Sequence, residues 1–178
     1  MTEKGTRQYE VLPTSIATVA INASQLQILL TQHHQGADSW ALPCASLMPE
    51  EQEEQTVRRC LSTEIVDRAG ILQIERLGIF FHAGPSGDHS LAILALMETG
   101  TPSNGAAWWT IDALPKLASY HASILIYALK TLRLKLSRTQ DVLILEPASL
   151  TLQEVRLLFS TLEQVIRNSD DHSAPVWA

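Results

Sequence analysis

The chain has 178 residues, enough for one domain of ordinary size with a short appendage. Apolar residues make up 46% of it, so a core can be buried, but charged residues make up only 18%, below the roughly 25% usual in soluble domains. This low charge suggests unusual burial or a surface covered by a partner, and we expect a homodimer. The net charge of −6 argues against a protein that binds nucleic acid backbones, which normally presents a basic face.

Cysteine usage and apolar run lengths indicate where the protein works. Cys44 and Cys60 do not have zinc-site spacing, and no signal peptide is seen. We therefore expect a cytoplasmic protein with reduced thiols, with a disulfide left open as an alternative. The longest wholly apolar run, residues 91–97, is far too short to cross a bilayer, so no membrane span is predicted.

A hairpin and a helix are predicted in the first half of the chain. The polar residues 1–10 predict a flexible tail, and two strands rich in β-branched and apolar residues follow at 14–21 and 26–32. The first helix is placed at residues 49–67, because Pro49 and the glutamates after it suit a helix start. Its buried stripe is formed by apolar residues that repeat every four positions: Val57, Leu61 and Ile65.

Strands and a long helix are predicted in the second half. Apolar runs of strand length lie at residues 74–82, 91–98 and 108–111, and a helix is placed at 119–138. The apolar face of that helix consists of Ile124, Leu125, Ala128, Leu129, Leu132 and Leu136. This order of elements predicts the α+β class, built as an α/β/α sandwich with a mixed sheet.

One more helix is predicted after this sandwich. It begins at Thr151, where Thr151 and Glu154 form a capping box. We therefore divide the chain into a flexible tail at 1–10, a domain at 11–140, and a C-terminal extension at 141–178 that carries this helix.

The segment between the first hairpin and residue 70 resembles the Nudix box, G-x5-E-x7-R-E-U-x-E-E-x-G-U, in which U is a bulky apolar residue. Four residues match the pattern: Glu51, Arg59, Leu61 and Glu64. Five depart from it: Ala45 for the first glycine, Cys60 and Thr63 for two glutamates, and Val66 and Asp67 for the last two positions. The flank "SWALPCAS" resembles the W-x-L-P-G-G that leads into the box.

This resemblance implies a Nudix fold whose box glutamates hold Mg²⁺ and cleave a diphosphate. It makes Glu51, Arg59 and Glu64 the candidate catalytic residues and Glu64 the candidate metal ligand. Helical spacing places Cys60, Thr63 and Glu64 on one face, but a thiol is a soft ligand and a threonine hydroxyl is neutral. We therefore expect weak or absent Mg²⁺ binding and little or no hydrolysis. The alternative is an active hydrolase that recruits other carboxylates, namely Asp67, Asp88 or Glu98.

A second resemblance covers "WWTIDALPKLASYHASILIYALKTLRLKL", which is similar to a segment of Nudix-related transcriptional regulators of NAD metabolism. Tyr120 stands where their pattern has an aspartate. The later "LILEPASLTLQEVRLLFSTLEQV" resembles the opening of their winged-helix part. The sensor domain of that family binds ADP-ribose or a related nucleotide, so the resemblance implies such a ligand. No groove-reading helix fits after Asn168, which argues against DNA binding.

Three residues are predicted to contact the ligand. Phe81 could stack on a base, with core packing as its alternative, and His82 could meet a phosphate, with His89 as its alternative. His121 is the third, with a structural hydrogen bond as its alternative. The leading interpretation is a binding or regulatory protein for ADP-ribose or a related nucleoside diphosphate derivative. The alternatives are a Mg²⁺-dependent pyrophosphatase acting on such compounds and a domain with only an assembly role.

Overall fold

The computed structural model describes residues 11–22, 25–32, 40–67, 69–81, 88–117, 119–137 and 152–170. Their order of strands and helices confirms the predicted α+β class. The strands are β1 (Leu12–Asn22), β2 (Gln25–Gln32), β3 (Trp40–Ala41), β4 (Cys44–Leu47), β5 (Ile71–Phe81), β6 (His89–Met97) and β7 (Ala106–Thr110). The helices are α1 (Glu53–Glu64), α2 (Ser119–Leu136) and α3 (Leu152–Asp170), with a short 3-10 turn at Ile111–Ala113.

The described strands form one mixed sheet, whose main order is β3-β2-β1-β6-β5. β1 and β2 form the predicted antiparallel hairpin, with Val19 opposite Ile28. β1 runs parallel to β6, and β6 pairs antiparallel with β5. β1 and β6 carry long buried runs, as expected for central strands that are covered on both faces.

The edge of β1 that faces away from β6 has two different partners. Residues 12–15 pair with β4, whereas residues 19–22 pair with β2. Between these two ladders the Ile16 N–H donates to the Pro43 carbonyl oxygen at 2.8 Å. β2 continues outward to β3 and β7. This change of partner places β4 beside the first residues of β1. The segment that leads from β4 into α1 starts at the same place.

Helices cover both faces of the sheet and divide the core into two apolar clusters. α2 packs on one face, and all six residues of its predicted apolar stripe are buried. α1 packs on the other face through Val57 and Leu61, with Ile65 following just after its end. Neighbouring side chains of β1 point to opposite faces, so Ala17 joins the α2 cluster and Ile16 the α1 cluster. The predicted α/β/α sandwich is therefore confirmed.

The appended helix α3 packs against α2. Leu162 joins the α2 cluster, and Ile166 is also buried. Arg133 of α2 ties the two helices together, because its Nη2 atom lies 2.7 Å from Glu163 Oε1 and its guanidinium lies 5.5 Å from the centre of the Phe159 ring. The C-terminal helix that the sequence predicts is thus present and forms part of the same packed body.

Helix α1 is shorter than predicted at both ends, spanning Glu53–Glu64 rather than 49–67. It starts late because Glu50 has a left-handed φ of 66°, which a helix cannot contain. It stops early because Ile65 is extended and forms an isolated bridge with Pro102.

Some sequence predictions fall outside this description. The tail at 1–10, His82 and the capping box at Thr151 lie outside the described residues. The division of the chain at residue 140 stays a prediction for the same reason. β3 and β4 were not predicted, since each is very short. None of the described helices is both long and apolar enough to cross a membrane.

Candidate functional site

The best-preserved part of the box is an ion pair between Glu51 and Arg59. The Nε and Nη2 atoms of Arg59, on α1, donate to the two carboxylate oxygens of Glu51 at 2.9 and 2.8 Å, a bidentate pair. Arg59 Nη2 also reaches the Ser46 carbonyl oxygen at 2.8 Å, and the Met48 N–H donates to Glu51 Oε2 at 3.1 Å. These bonds tie residues 46–51 onto the helix. Two of the three predicted catalytic residues therefore hold the shape of this segment.

We expect Glu51→Gln to lower the thermal unfolding temperature by a few degrees at pH 7, and to matter much less at low pH. The Arg59 hydrogen bonds, followed by the Met48 N–H, lower the pKa of Glu51 from 4.5 to about 2. A carboxyl whose pKa is depressed by folding stabilises the fold above its unfolded pKa and loses that effect as the pH falls through the folded pKa. The difference in unfolding temperature should therefore shrink between pH 4.5 and about pH 2.

The matched control is Glu54→Gln, which removes a glutamate from an ion pair on the same helix. Glu54 and Arg58 are both more than half exposed and pair at i,i+4, the geometry with the smallest expected contribution. Calorimetric melts of both variants at pH 7, 5, 4 and 3 would compare them. Equal effects of the two substitutions at pH 7 would mean that the Glu51–Arg59 pair does not hold the segment.

The face of α1 that would carry the metal presents three different groups. Cys60 is buried, Thr63 is exposed and Glu64 is half-buried. The Thr63 hydroxyl donates to the Cys60 carbonyl oxygen at 2.7 Å, so it bonds within its own helix. Burial, and then the nearby Glu64 carboxylate, raise the pKa of the Cys60 thiol to about 12. Glu64 is therefore the only one of the three that carries a charge at pH 7.

This set of groups fits Mg²⁺ poorly. Mg²⁺ is a hard ion that takes oxygen ligands, carboxylates above all, and a protonated thiol is not a ligand for it. Glu51, the other box glutamate, already has both oxygens bonded to Arg59. Among the described residues no three His, Cys, Asp or Glu side chains lie together as a metal site would require. The box therefore offers one free carboxylate, Glu64, at the position where the motif has several.

The carboxylates considered as replacements bond elsewhere. Asp67 accepts hydrogen bonds from both the N–H and the hydroxyl of Thr101, at 2.9 and 2.8 Å. These bonds lower the pKa of Asp67, and the bond from the hydroxyl has the larger effect. Glu98 Oε2 accepts from the Gly70 N–H at 3.0 Å. Asp88 is exposed beside the start of β6. Asp67 and Glu98 thus join the end of α1 and the start of β5 to the segment that follows β6.

The predicted ligand residues have very different surroundings. Phe81 is 79% exposed at the end of edge strand β5, with its ring centre 6.0 Å from that of His89. The alternative that placed Phe81 in the core is therefore wrong. His121 is fully buried, and its Nδ1 atom accepts a hydrogen bond from the Leu42 N–H at 3.3 Å. That bond is the structural alternative named for His121, and it anchors the W-x-L-P turn to α2.

A cleft of about 280 Å³ opens where β4 leaves β1. We call it the β4 cleft, and it is lined by Pro13, Thr14, Ser15, Cys44, Ala45, Ser46, Ser90 and Tyr120. None of these lining residues carries a formal charge at pH 7. Ser15 and Cys44 are paired across the β1–β4 ladder, and the Ser15 Oγ and Cys44 Sγ atoms lie 3.6 Å apart.

The sequence analysis did not identify the β4 cleft, although it contained partial signals. Tyr120 and Ala45 were noted as departures from the motifs, without any indication that they lie near each other. Ser15 and Ser90 are hydroxyl residues at the ends of otherwise apolar strands, which is an ambiguous signal on its own. They come together only because β1 and β6 pair in parallel, with Thr14 opposite Leu91.

Comparison with known proteins tests the predicted fold. No protein-family model and no curated protein matches the sequence. Among solved structures, a MutT/nudix family protein from Enterococcus faecalis is similar, with a TM-score of 0.67 and 24% identity, covering 93% of this chain and 79% of that chain. NrtR from Shewanella oneidensis, complexed with a 27mer DNA, has a TM-score of 0.64 and 18% identity over 90% of this chain and 82% of its own.

The NUDIX domain of Shewanella oneidensis NrtR, complexed with ADP ribose, is similar as well. Its TM-score is 0.57 and its identity 21%, covering 74% of this chain and 94% of that chain. The TM-scores of these three structures establish the fold, whereas identities this low leave the activity open. The fold that the Nudix box resemblance predicts is nevertheless confirmed by all three structures. We conclude that this chain has the Nudix fold.

Proposed function

We propose that this Nudix-fold chain binds ADP-ribose or a related nucleoside diphosphate derivative in a sensing or regulatory role, with little or no hydrolysis. The observation that carries the proposal is the contrast within the box. The Glu51–Arg59 pair keeps the box segment in shape, while the groups on the metal face are a protonated thiol, a threonine and one carboxylate. The box segment therefore keeps its shape while its metal face has lost negative charge, a combination that suits ligand binding without hydrolysis.

The ligand class is supported by similarity and by exposed groups. The NUDIX domain of Shewanella oneidensis NrtR, which has a similar fold, is complexed with ADP ribose. Phe81 is free to stack on a base because most of its ring is exposed. We propose a contact with the base for Phe81 and keep His82 as a predicted ligand residue. His121 was predicted as a third, but it is fully buried and bonds the Leu42 N–H, which favours its structural alternative. The net charge of −6 lends no support to DNA binding.

The test combines a binding measurement with a turnover measurement. Calorimetric titration with ADP-ribose, in Mg²⁺ and in EDTA, should show binding of similar strength in both buffers. Overnight incubation with nucleoside diphosphate sugars and dinucleotides, followed by phosphatase and phosphate detection, should show no turnover above that of a buffer blank. Absence of ADP-ribose binding in both buffers would contradict the proposal and leave an assembly role.

One observation favours an active hydrolase as the second candidate. Glu64 remains in its box position, and the contact seen at its carboxylate among the described residues is a long one, 3.4 Å from the Thr63 hydroxyl. Mg²⁺ normally needs only one or two protein carboxylates when substrate phosphates complete its shell. Mg²⁺-dependent cleavage that Glu64→Gln abolishes would establish this candidate in place of the first.

The homodimer and the cytoplasmic location also stay predictions. The surface of β5 supports a dimer, because this edge strand exposes Ile79 by 41% and Phe81 by 79%. Among the described strands none pairs with the outer edge of β5, and exposed apolar side chains on such an edge suit contact with another chain. A dimer through this edge would also cover part of the surface that we assign to the base.

A further inference from the structure

We propose that the β4 cleft binds the uncharged sugar of the nucleoside diphosphate derivative and accepts hydrogen bonds from its hydroxyl groups. The proposal rests on the proposed function and narrows its ligand class to compounds with a free terminal sugar. The diphosphate would remain outside the cleft. Recognition would then depend on the sugar and would not require a divalent ion.

The lining of the cleft is the first observation that supports a neutral ligand. Its walls contain hydroxyl, thiol and aromatic groups and no lysine, arginine or histidine that could pair with a phosphate. The Glu64 carboxylate lies near enough to Cys44 to raise the pKa of its thiol, after the larger effect of burial. A negative group entering the cleft would meet no cation among these lining side chains and would approach the negative charge of Glu64. Arg59 lies beside the Ser46 wall, but it is already paired with Glu51.

The hydrogen bonds inside the cleft are the second observation, and they indicate whether the ligand must donate or accept hydrogen bonds. The Thr14 hydroxyl donates to the Leu12 carbonyl oxygen at 3.2 Å, and the Cys44 thiol donates to the Leu42 carbonyl oxygen at 3.2 Å. Because the Cys44 proton is committed, the Ser15 hydroxyl is the donor in its contact with Cys44 Sγ. While these bonds are kept, Thr14 and Ser15 offer a ligand their lone pairs.

Such acceptors select a ligand that donates. A phosphate oxygen at neutral pH only accepts, so Thr14 or Ser15 could meet it only by giving up its internal hydrogen bond, whereas each sugar hydroxyl carries a hydrogen to donate. Both residues are buried, so a ligand that leaves them without a donor forfeits affinity. A cationic amine would also donate, and Glu64 lies near the cleft, but the lining itself holds no carboxylate to pair with the amine directly.

The size of the cleft is the third observation. Its volume of about 280 Å³ lies just below the roughly 300–1,000 Å³ of pockets that enclose drug-sized ligands. One sugar ring fits in such a space, and a whole dinucleotide does not. The Tyr120 ring on one wall offers an apolar surface for the carbon side of the sugar.

The test compares ADP-ribose with ADP, which lacks the terminal sugar, by calorimetric titration of the full chain in EDTA. ADP-ribose should bind at least about tenfold more tightly than ADP, given two or more added hydrogen bonds. Thr14→Val and Ser15→Ala should each reduce the ratio of the two affinities by roughly 3- to 10-fold. Thr18→Val is the matched control, because Thr18 is a buried threonine of the same strand outside the cleft, and it should leave the ratio unchanged.

The outcomes separate this inference from the proposed function. Equal affinities for ADP and ADP-ribose in the parent protein would overturn the sugar cleft while the proposed function stands. An affinity ratio that Thr14→Val and Ser15→Ala leave unchanged, in variants whose melts show an intact fold, would do the same. No binding of ADP-ribose would overturn both. The comparison in the parent protein needs no variant, so a variant that fails to fold cannot obscure the result.

Discussion

A chain carrying both Cys60→Glu and Thr63→Glu should unfold at a lower temperature than the parent in EDTA, and Mg²⁺ should recover much of the loss. The substitutions restore the two glutamates that the box pattern places at these positions. Cys60 is only 5% exposed, so the new carboxylate enters the α1 cluster beside Glu64. Without a cation it is a buried charge with a like-charged neighbour, and such a charge is strongly destabilising.

The expected effects are large enough to measure. Leaving a buried charge without a partner costs about 3 kcal/mol. For a chain of this length, that corresponds to a decrease of roughly 6–12 °C in the unfolding temperature. A divalent ion at 100 times its dissociation constant would return about 2.7 kcal/mol, because it binds the folded state alone. The parent should show little response to Mg²⁺, since its box face retains only Glu64.

Thr63→Glu alone is the matched control, because it adds the same charge at an exposed position of the same helix. Its effect in EDTA should stay within about 0.5 kcal/mol, as is usual for surface changes. Calorimetric melts in EDTA, in Mg²⁺, and in KCl of equal ionic strength separate specific binding from screening. If Mg²⁺ raises the unfolding temperature of the double variant no more than KCl does, the alignment of α1 with the box is wrong.

The elements that the sequence predicts well are those whose pattern is set locally. The stripe of α2 repeats along a long helix, so all six predicted residues are buried. The β1–β2 hairpin follows from two apolar segments with a polar turn between them. The start of α1 was wrong because Glu50 adopts a positive φ that is uncommon for a glutamate and that no local signal announces. β4 was missed because it is a four-residue strand held by contact with β1.

In the candidate site, too, the features set by local sequence could be predicted, and those that depend on distant contacts could not. The motif spacing identified Glu51 and Arg59, but not that each has the other as its main partner, since that pairing depends on how residues 46–51 fold back on α1. The β4 cleft combines residues from β1, β4, β6 and α2, which sequence spacing cannot bring together. Asp67 was considered as a spare metal ligand, yet its partner is Thr101, 34 residues away in the sequence.

Gly100→Ala should lower the unfolding temperature clearly more than Gly70→Ala does. A Cβ atom at Gly100 would lie 2.5 Å from Ile65 Cγ2, 2.6 Å from Asp67 Oδ1 and 2.8 Å from Ala69 Cβ. The segment that carries Gly100 is fixed on both sides of it, because Thr101 bonds Asp67 and the Gly100 carbonyl oxygen accepts from Trp108 Nε1 at 2.8 Å. The neighbours therefore cannot retreat without breaking the link between α1 and β7.

Overpacking of this kind costs about 1–3 kcal/mol, or roughly 2–12 °C in a chain of this length. Gly70→Ala is the matched comparison, since its Cβ atom would meet only the Glu98 side chain, with Oε2 at 2.8 Å. Moving that carboxylate away would give up only its exposed hydrogen bond from the Gly70 N–H. Thermal melts of both variants at pH 7 measure the difference. Equal shifts would show that the segment around Gly100 yields as easily as a surface side chain, and would contradict a rigid link between α1 and β7. A larger shift for Gly100→Ala would mean that Ile65, Asp67 and Ala69 are held too firmly against Gly100 to move aside, as expected if the hydrogen bonds between Asp67 and Thr101 fix the end of α1.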